Sequence, residues 1–414
     1  MAKMDKKKPE HAPITGFPVR DGELTIGSIK ISQLANRVGS TPFYAYDRVL
    51  ISERVAQMRK YLPANLKLHY AMKANPMPAV VQHMSRLVDG LDLASAGEMA
   101  IALDTGMDPG LISFAGPGKT VQELSQAIAA GVVINMESFL EMENIARLSQ
   151  EQGVRAKVAI RVNPDFELKS SGMKMGGGAQ QFGVDSEKLP DMLKQLAELG
   201  LDFIGFHIFS GSQNLKEDSL LETQEKTLAL AVELSKYAPN APKKVNIGGG
   251  FGIPYFPGDT PLDLKILGEG LSRLMKKFHQ DLPDTEVVIE LGRFMVGEAG
   301  IYVSKIVDKK TSRGENYLIT DGGMHHHLAA SGNFGQLIRK NYPVAIGNRM
   351  TGGAKEQANI VGCLCTPLDR LGDRMMLPDG EVGDYVVLFQ SGAYGLSASP
   401  TAFLGHPAPK EVLV

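Results

Sequence analysis

A lysine ends the apolar, strand-like run in "LHYAMKANP", at Lys73. Lysine is among the residues least often buried, so one that closes an interior strand either reaches for solvent or is kept for its amine. Farther along lie "RVNP" with Arg161, "HIFSGSQ" from His207 to Gln213, "NIGGGFG" with Gly248, Gly249 and Gly250, and "IELGR" with Glu290 and Arg293. Glycine lets backbone N–H groups approach an anion, and an arginine beside such a turn adds the charge that makes a phosphate cradle. Taken alone, "GGGFG" reads equally well as an ordinary tight turn. An amine, a carboxylate and a phosphate cradle on one rim would be a chemical site.

The elements between these residues decide whether they share a rim. "LKLHYAMK", "LDLAS", "LISFAG", "VVINM", "KVAIRV", "FIGFHIF", "KVNIGG" and "EVVIELG" are eight short apolar runs between Leu66 and Gly292. Amphipathic stretches such as "TVQELSQAIAAG" and "LPDMLKQLAELG" alternate with them, several closing on glycine as helices tend to. Eight strand-then-helix units predict an α/β fold, a TIM (β/α)8 barrel, at its typical ~250 residues. After Gly300 the chain turns to short strands broken by turn residues, an all-β pattern. The strand-rich stretch 16–46 joins that part and makes it discontinuous, a β-sandwich or barrel-like domain. The expected division is therefore a disordered basic tail over 1–15, N-terminal strands over 16–46, the barrel over 47–297 and the β domain over 298–414.

With 44 basic and 46 acidic residues in 414, the chain carries no electrostatic footprint for nucleic acid or an acidic membrane. Two cysteines, Cys363 and Cys365, are too close to staple a fold, no apolar run is long enough to span a bilayer, and a cytoplasmic protein is expected. Barrel active sites form at the C-terminal strand ends, where Lys73, Arg161, the serine-glycine turn at Ser212, the glycines and Glu290 with Arg293 all fall. That set suits pyridoxal 5'-phosphate, whose aldehyde takes a lysine and whose ring nitrogen needs a tuning partner. Lys73 is the lysine and Glu290 the partner, unless Glu290 merely pairs with Arg293.

The motifs "TPFYAYD", "YAMKANP", "LDLASAGEM", "ISFAGPGKT", "RVNP", "GSQ", "NIGGGFG", "ELGR", "ITDGG", "CTPLD" and "SGAYG" together resemble the fold-type III pyridoxal phosphate decarboxylases, the group of diaminopimelate and ornithine decarboxylases. Within it the chain looks most like a subgroup acting on glutamyl groups bound to a carrier protein, or associated with exosortases. The resemblance implies cofactor contacts from Asp92, Arg161, His207, Phe209, Ser212, Gly248, Gly249, Gly250, Glu290, Gly292, Arg293 and Tyr394. It implies a homodimer with shared sites, in which Cys365 enters the partner's site and returns a proton to the substrate carbon. Substrate contacts fall to Arg293, Thr366, Tyr394 and His326.

The pattern is broken in places. Phe209 stands where the family usually has the histidine that stacks on the cofactor, and a flat ring is all that stacking requires. Leu291 replaces a usual proline. Ala329 and Thr366 occupy the positions of an arginine and a glutamate that grip the charged distal end of diaminopimelate, and an unpaired buried charge is costly. Free diamino acids are therefore expected to be poor substrates, with a neutral, carrier-tethered distal end favoured. Alternatives are a free diaminopimelate- or ornithine-like decarboxylase and an inactive regulatory homologue. No metal is expected, because consecutive histidines such as His325, His326 and His327 point to opposite faces on a strand and no carboxylate sits at ligand spacing beside them.

Overall fold

The computed structural model describes residues 9–167, 173–174, 176–334, 336 and 339–414. Residues 1–8 of the expected basic tail, and part of the "GMKMGGGAQQFG" loop, lie outside the described residues. The chain divides into two compact units.

One unit, Ser52–Gly252 with Leu262–Met295, is the barrel. Its strands are β1 Lys67–Ala71, β2 Gly90–Leu93, β3 Ile112–Phe114, β4 Val133–Met136, β5 Lys157–Asn163, β6 Asp202–Ile208, β7 Lys244–Asn246 and β8 Glu286–Leu291. Each pairs in parallel with its sequence neighbours, and β8 pairs with β1, so the sheet closes on itself. The eight expected strands are these eight. They read as apolar runs rather than alternating ones because a parallel strand covered by helices is buried on both faces. The helix Val121–Ala130 begins at a reciprocal cap, Thr120 accepting from the Glu123 amide while the Glu123 carboxylate accepts from the Thr120 amide, and it ends at Gly131.

The other unit contains residues up to Ile51, Ile253–Pro261 and Val296–Val414. The 13-residue strand Gly300–Ser312 is its spine. Phe43–Tyr46 and Tyr385–Leu388 pair with it antiparallel, and Glu315–Thr320 returns along its far half. Lys410–Leu413 adds in parallel to Phe43–Tyr46. Phe17, Leu24, Ile26, Leu34 and Phe43 pack with Ile301, Val303 and Val387, so the N-terminal segment contributes to the hydrophobic core of this unit.

Two expected boundaries shift. Ile253–Pro261, placed in the barrel by sequence order, belongs to the β unit, where Tyr255 stacks 4.8 Å from Tyr342 and Gln390 Nε2 donates to Pro254 O at 2.6 Å. Nor is the tail frayed throughout. The Gly258 amide donates to Glu10 O at 2.8 Å, and His11 Nε2 donates to Asn341 O at 2.8 Å. Two polar contacts to distant loops tie down a segment whose composition alone reads as solvated. Among the described residues no helix is long and apolar enough to cross a membrane.

Candidate active site

β1 ends at Ala71, and the next three residues form a single 3₁₀ turn, Met72–Ala74. Met72 and Ala74 are buried while Lys73 is exposed, so the turn anchors itself on its apolar members and projects the amine. Among the described residues no carboxylate lies at ion-pair distance from Lys73. The residue is therefore at the strand's C-terminal rim, free of a structural ion pair.

Glu290, near the end of β8, is 8% exposed. Its Oε2 lies 3.0 Å from His207 Nε2 on β6 and accepts from Asn246 Nδ2 on β7 at 3.1 Å. Burial opposes its ionisation, but the contact and charge of His207, followed by the charges of Lys73 and Arg161, outweigh that penalty and hold the carboxyl well below the usual carboxylate range. Asn246 Oδ1 in turn accepts from the Gly248 amide at 2.8 Å, so one side chain fixes both the acid and the start of the glycine turn. The alternative pairing of Glu290 with Arg293 is not the arrangement found. Arg293 opens the short helix Arg293–Val296 and is half-buried.

Arg161, inside β5 and 5% exposed, lies 3.5 Å from Glu137 Oε1 and beneath the Phe182 ring. Glu137 also accepts from the amides of Gly116 at 2.6 Å and Gly183 at 3.0 Å, which locks the arginine's partner in place. Behind it Lys119 and Glu141 form a second buried pair at 2.6 Å. Asp92 on β2 has both oxygens engaged inside the barrel, one by Ser113 Oγ and the other by His69 Nδ1 at 3.1 Å.

Gly248 has φ +64°, and a Cβ there would lie 2.4 Å from Phe209 Cδ2. Only glycine allows both the left-handed turn and the close approach of the half-buried phenylalanine. The amides of Gly249 and Gly250 have no acceptor among the described residues, and Ser210 Oγ is buried without a partner there. Ser212 follows in the two-residue strand Gly211–Ser212, and Gly292 packs against Ala71 and Ala74 beside the Lys73 turn. Unsatisfied amides, an unpaired amine and an ionised buried acid fit what a phosphate, an aldehyde and a pyridine nitrogen would ask of a site.

Residues 48–297 match the family described as "Pyridoxal-dependent decarboxylase, pyridoxal binding domain". The chain belongs to the pyridoxal-dependent decarboxylases. It is 37% identical to the L-glutamyl-[BtrI acyl-carrier protein] decarboxylase of Niallia circulans over 94% of this chain and 92% of that one. It is 32% identical to the diaminopimelate decarboxylase of Aquifex aeolicus over 95% and 91%. The solved diaminopimelate decarboxylase of M. jannaschii, in complex with L-lysine, superposes with a TM-score of 0.88 at 26% identity, covering 97% of this chain and 93% of that one. The chain is thus a pyridoxal-phosphate-dependent decarboxylase.

The remaining expected residues of this decarboxylase lie in the β unit. The strand Lys355–Val361 ends before both cysteines, so Cys363 and Cys365 do not share a strand face as their spacing suggested. Asp369 bends the segment by accepting from the Leu364 amide at 2.8 Å, leaving Cys363 half-buried and Cys365 exposed. Thr366 is half-buried beside it. Tyr394 holds a backbone φ of +52°, a strained value for a tyrosine of the kind that surrounding structure must enforce.

His326 is the clearest correction. Expected to meet substrate, it is 1% exposed, with Nε2 donating to Pro407 O at 3.0 Å and its carbonyl accepting from Tyr44 OH at 2.7 Å. Burial, with His325 beside it, pushes its pKa down to about 4, so it is a neutral packing residue. The three histidines also lie outside any strand, which removes the strand-face reason given against a metal, and His325 sits with Cys363 and His406.

Sequence reasoning missed Asn246 and Glu98. A lone asparagine before glycines looks like turn chemistry. Glu98, three residues after Ser95, looks like a helix cap, and it is one, accepting from the Ala94 amide at 2.7 Å. Burial raises its pKa while the charge of Lys73 lowers it, which brings Glu98 into the electrostatic neighbourhood of the amine.

Proposed function

We propose that this decarboxylase removes the α-carboxylate of an aminoacyl group tethered to a carrier protein, with a glutamyl thioester the leading candidate. The observation that carries the reading is the absence of charge at Ala329, which is 9% exposed, and at Thr366, the two places where a free diamino acid's distal end is expected to be gripped. A thioester or amide at that end needs no counter-charge. The Niallia circulans relative, named for a carrier-bound glutamyl substrate, supports it.

Lys73 supplies the amine that attaches the cofactor. The amides of Gly249 and Gly250, with Ser212, Gly248, Gly292 and Arg293, would hold its phosphate, Phe209 would offer a flat face to its ring and Arg161 a positive charge to its oxygen, and the family resemblance adds Tyr394 to the phosphate contacts. The bound cofactor supplies an electron sink for the bond that releases carbon dioxide. Glu290, held ionised by His207 and Asn246, would keep a proton on the ring nitrogen. Cys365, exposed on its own chain, reaches the site of a second copy in a homodimer and delivers a proton to the substrate carbon. Neither cysteine is in a disulfide, in keeping with a cytoplasmic enzyme.

The test is carbon dioxide release by purified protein with added pyridoxal phosphate, from glutamyl groups loaded on an acyl-carrier protein and from free glutamate, diaminopimelate, lysine and ornithine. Release from the loaded carrier alone is the expected result. Efficient release from a free diamino acid overturns the tethered reading and makes this an ordinary small-substrate decarboxylase.

A further inference from the structure

Three segments of the β unit, far apart in sequence, bring metal-ligand side chains together. His325, Cys363 and His406 place one ligand atom each within 4.8 Å of one another. Cys363 Sγ is 3.9 Å from both ring nitrogens of His406, and the rings of His325 and His406 are 5.2 Å apart. A second, independent observation concerns His325 alone. It is 0% exposed, and neither of its ring nitrogens has a hydrogen-bond partner among the described residues. A buried imidazole with nothing to bond to loses hydration without compensation. A metal ion would supply the missing partner.

We propose that His325, Cys363 and His406 form a binding site for a divalent late transition metal, zinc foremost. Two imidazoles and a thiolate are a zinc donor set, and three protein ligands leave a fourth position open. Tetrahedral zinc with its usual bond lengths sets ligand atoms about 3.4–3.6 Å apart. Closing from the present separations asks for roughly 1 Å of side-chain rotation, not a rearrangement of the backbone.

The scaffold around the three ligands is already tied. Asp369 accepts from the Met324 amide at 2.6 Å and from the Leu364 amide at 2.8 Å, so one carboxylate braces both the His325 turn and the Cys363 turn. Gly323 leaves room for it, since a Cβ there would meet Asp369 Oδ1 at 2.2 Å. His326 Nε2, on Pro407 O at 3.0 Å, fastens the third segment to the first. Asp369 also places negative charge near the cluster. It raises the pKa of Cys363, after the larger effect of burial, and the same field attracts a cation. On binding, Cys363 releases its thiol proton to solvent as the metal–sulfur bond forms, and both histidines coordinate without proton loss.

The test uses the full-length, cofactor-loaded enzyme, stripped with a chelator and titrated with cobalt(II), then with zinc in competition. One cobalt per chain is expected, with the thiolate-to-metal charge-transfer band and the intense visible bands of a tetrahedral site, displaced by one equivalent of zinc. Cys363→Ser should abolish the charge-transfer band, and His406→Gln should weaken zinc binding by more than the roughly 100-fold that loss of an outer-shell partner can cost. Both positions are half-buried, so these variants avoid the fully buried His325. Cys365→Ser should leave the cobalt spectrum unchanged, and zinc should raise the melting temperature of the wild type but not of Cys363→Ser. No stoichiometric cobalt binding, or a charge-transfer band that survives Cys363→Ser and disappears with Cys365→Ser, overturns the assignment. In that case His325 is a core residue packed against His326, whose ring centroid lies 3.6 Å away at a 40° tilt.

Discussion

Replacing Glu290 by glutamine keeps the shape of the side chain and removes its charge. The buried carboxylate faces His207 at 3.0 Å and feels the charges of Lys73 and Arg161, so the substitution leaves three basic groups facing a neutral amide. A charge-assisted contact of this kind contributes about 1.5–3 kcal/mol. If the carboxylate's work is to hold a proton on the cofactor ring while carbon dioxide leaves, that energy is lost from the chemical step. At 1.36 kcal/mol per tenfold, kcat should fall roughly 10–150-fold. The assay is carbon dioxide release per cofactor-loaded site, with loading measured from cofactor absorbance, so that weaker binding is not mistaken for slower chemistry. The pH dependence of unfolding gives a second readout. The folded-state pKa of Glu290 lies below the ordinary glutamate value of 4.5, so its contribution to stability is fully present above that value and is lost as pH falls through the folded pKa. Glu290→Gln should lack this acid-side loss. A variant whose kcat per loaded site stays within about threefold of wild type, less than 1 kcal/mol of barrier, would refute the reasoning and leave Glu290 a structural partner of His207.

Lys73→Ala removes an exposed side chain and should change unfolding free energy by no more than about 0.5 kcal/mol, while covalent cofactor attachment and activity disappear together. Retention of the bound cofactor's absorbance with activity intact would contradict the assignment. Gly248→Ala puts a Cβ 2.4 Å from Phe209 Cδ2 at a φ of +64° and should cost about 1–3 kcal/mol of stability with weaker cofactor binding. Thermal unfolding and a cofactor titration measure both, and an unchanged dissociation constant would separate the glycine turn from the cofactor. Asp369→Ala leaves the Met324 and Leu364 amides without their acceptor and should lower stability by about 3 kcal/mol or more. Because burial raises the pKa of Asp369, its ionised form is disfavoured by folding and its effect on stability worsens as pH rises through that pKa. Asp369→Asn should therefore be milder than the alanine at neutral pH, and equal losses would count against the bracing role.

The barrel was legible because its strands are buried on both faces and bounded by turn residues, a pattern that needs no tertiary information. Lys73 was legible for the same reason, as a charge where apolar periodicity demands none. What escaped were contacts between residues distant in sequence. Nothing local to Asn246 announces Glu290, which is 44 residues away. Nothing in the "MHHH" run shows that the chain turns there, because the turn is held by Asp369, 45 residues on from Met324. The cysteine pair misled in the other direction. Spacing two apart implies one strand face only if the strand continues, and a buried carboxylate ends it at Val361. The excursion Ile253–Pro261 left the barrel's chain order for the other unit through an aromatic stack that no periodicity encodes.

The barrel's buried polar groups form sets that differ in charge balance, and the difference points to the ligand. His69, Asp92, Ser113 and Asn135 form a chain of contacts in which each polar side chain satisfies the next. Glu137 with Arg161, and Glu141 with Lys119, match acid to base one for one. The Glu290 set does not. Its carboxylate sits in the field of His207, Lys73 and Arg161, of which Arg161 is already matched by Glu137, and among the described residues the amides of Gly249 and Gly250 have no acceptor. Buried ion pairs are often no more stabilising than apolar residues of the same volume, so stability alone gives little reason to keep an unbalanced one. The Lys73 amine and the open N–H donors are at lower energy with an anion in place. A phosphate ester together with a substrate carboxylate would supply that anion, and when carbon dioxide leaves as a neutral molecule the negative charge stays behind on the substrate carbon and the cofactor's electron sink until a proton neutralises it. Under the proposed function that preference resides at the reacting end, which leaves a neutral distal group compatible with the uncharged side chains of Ala329 and Thr366.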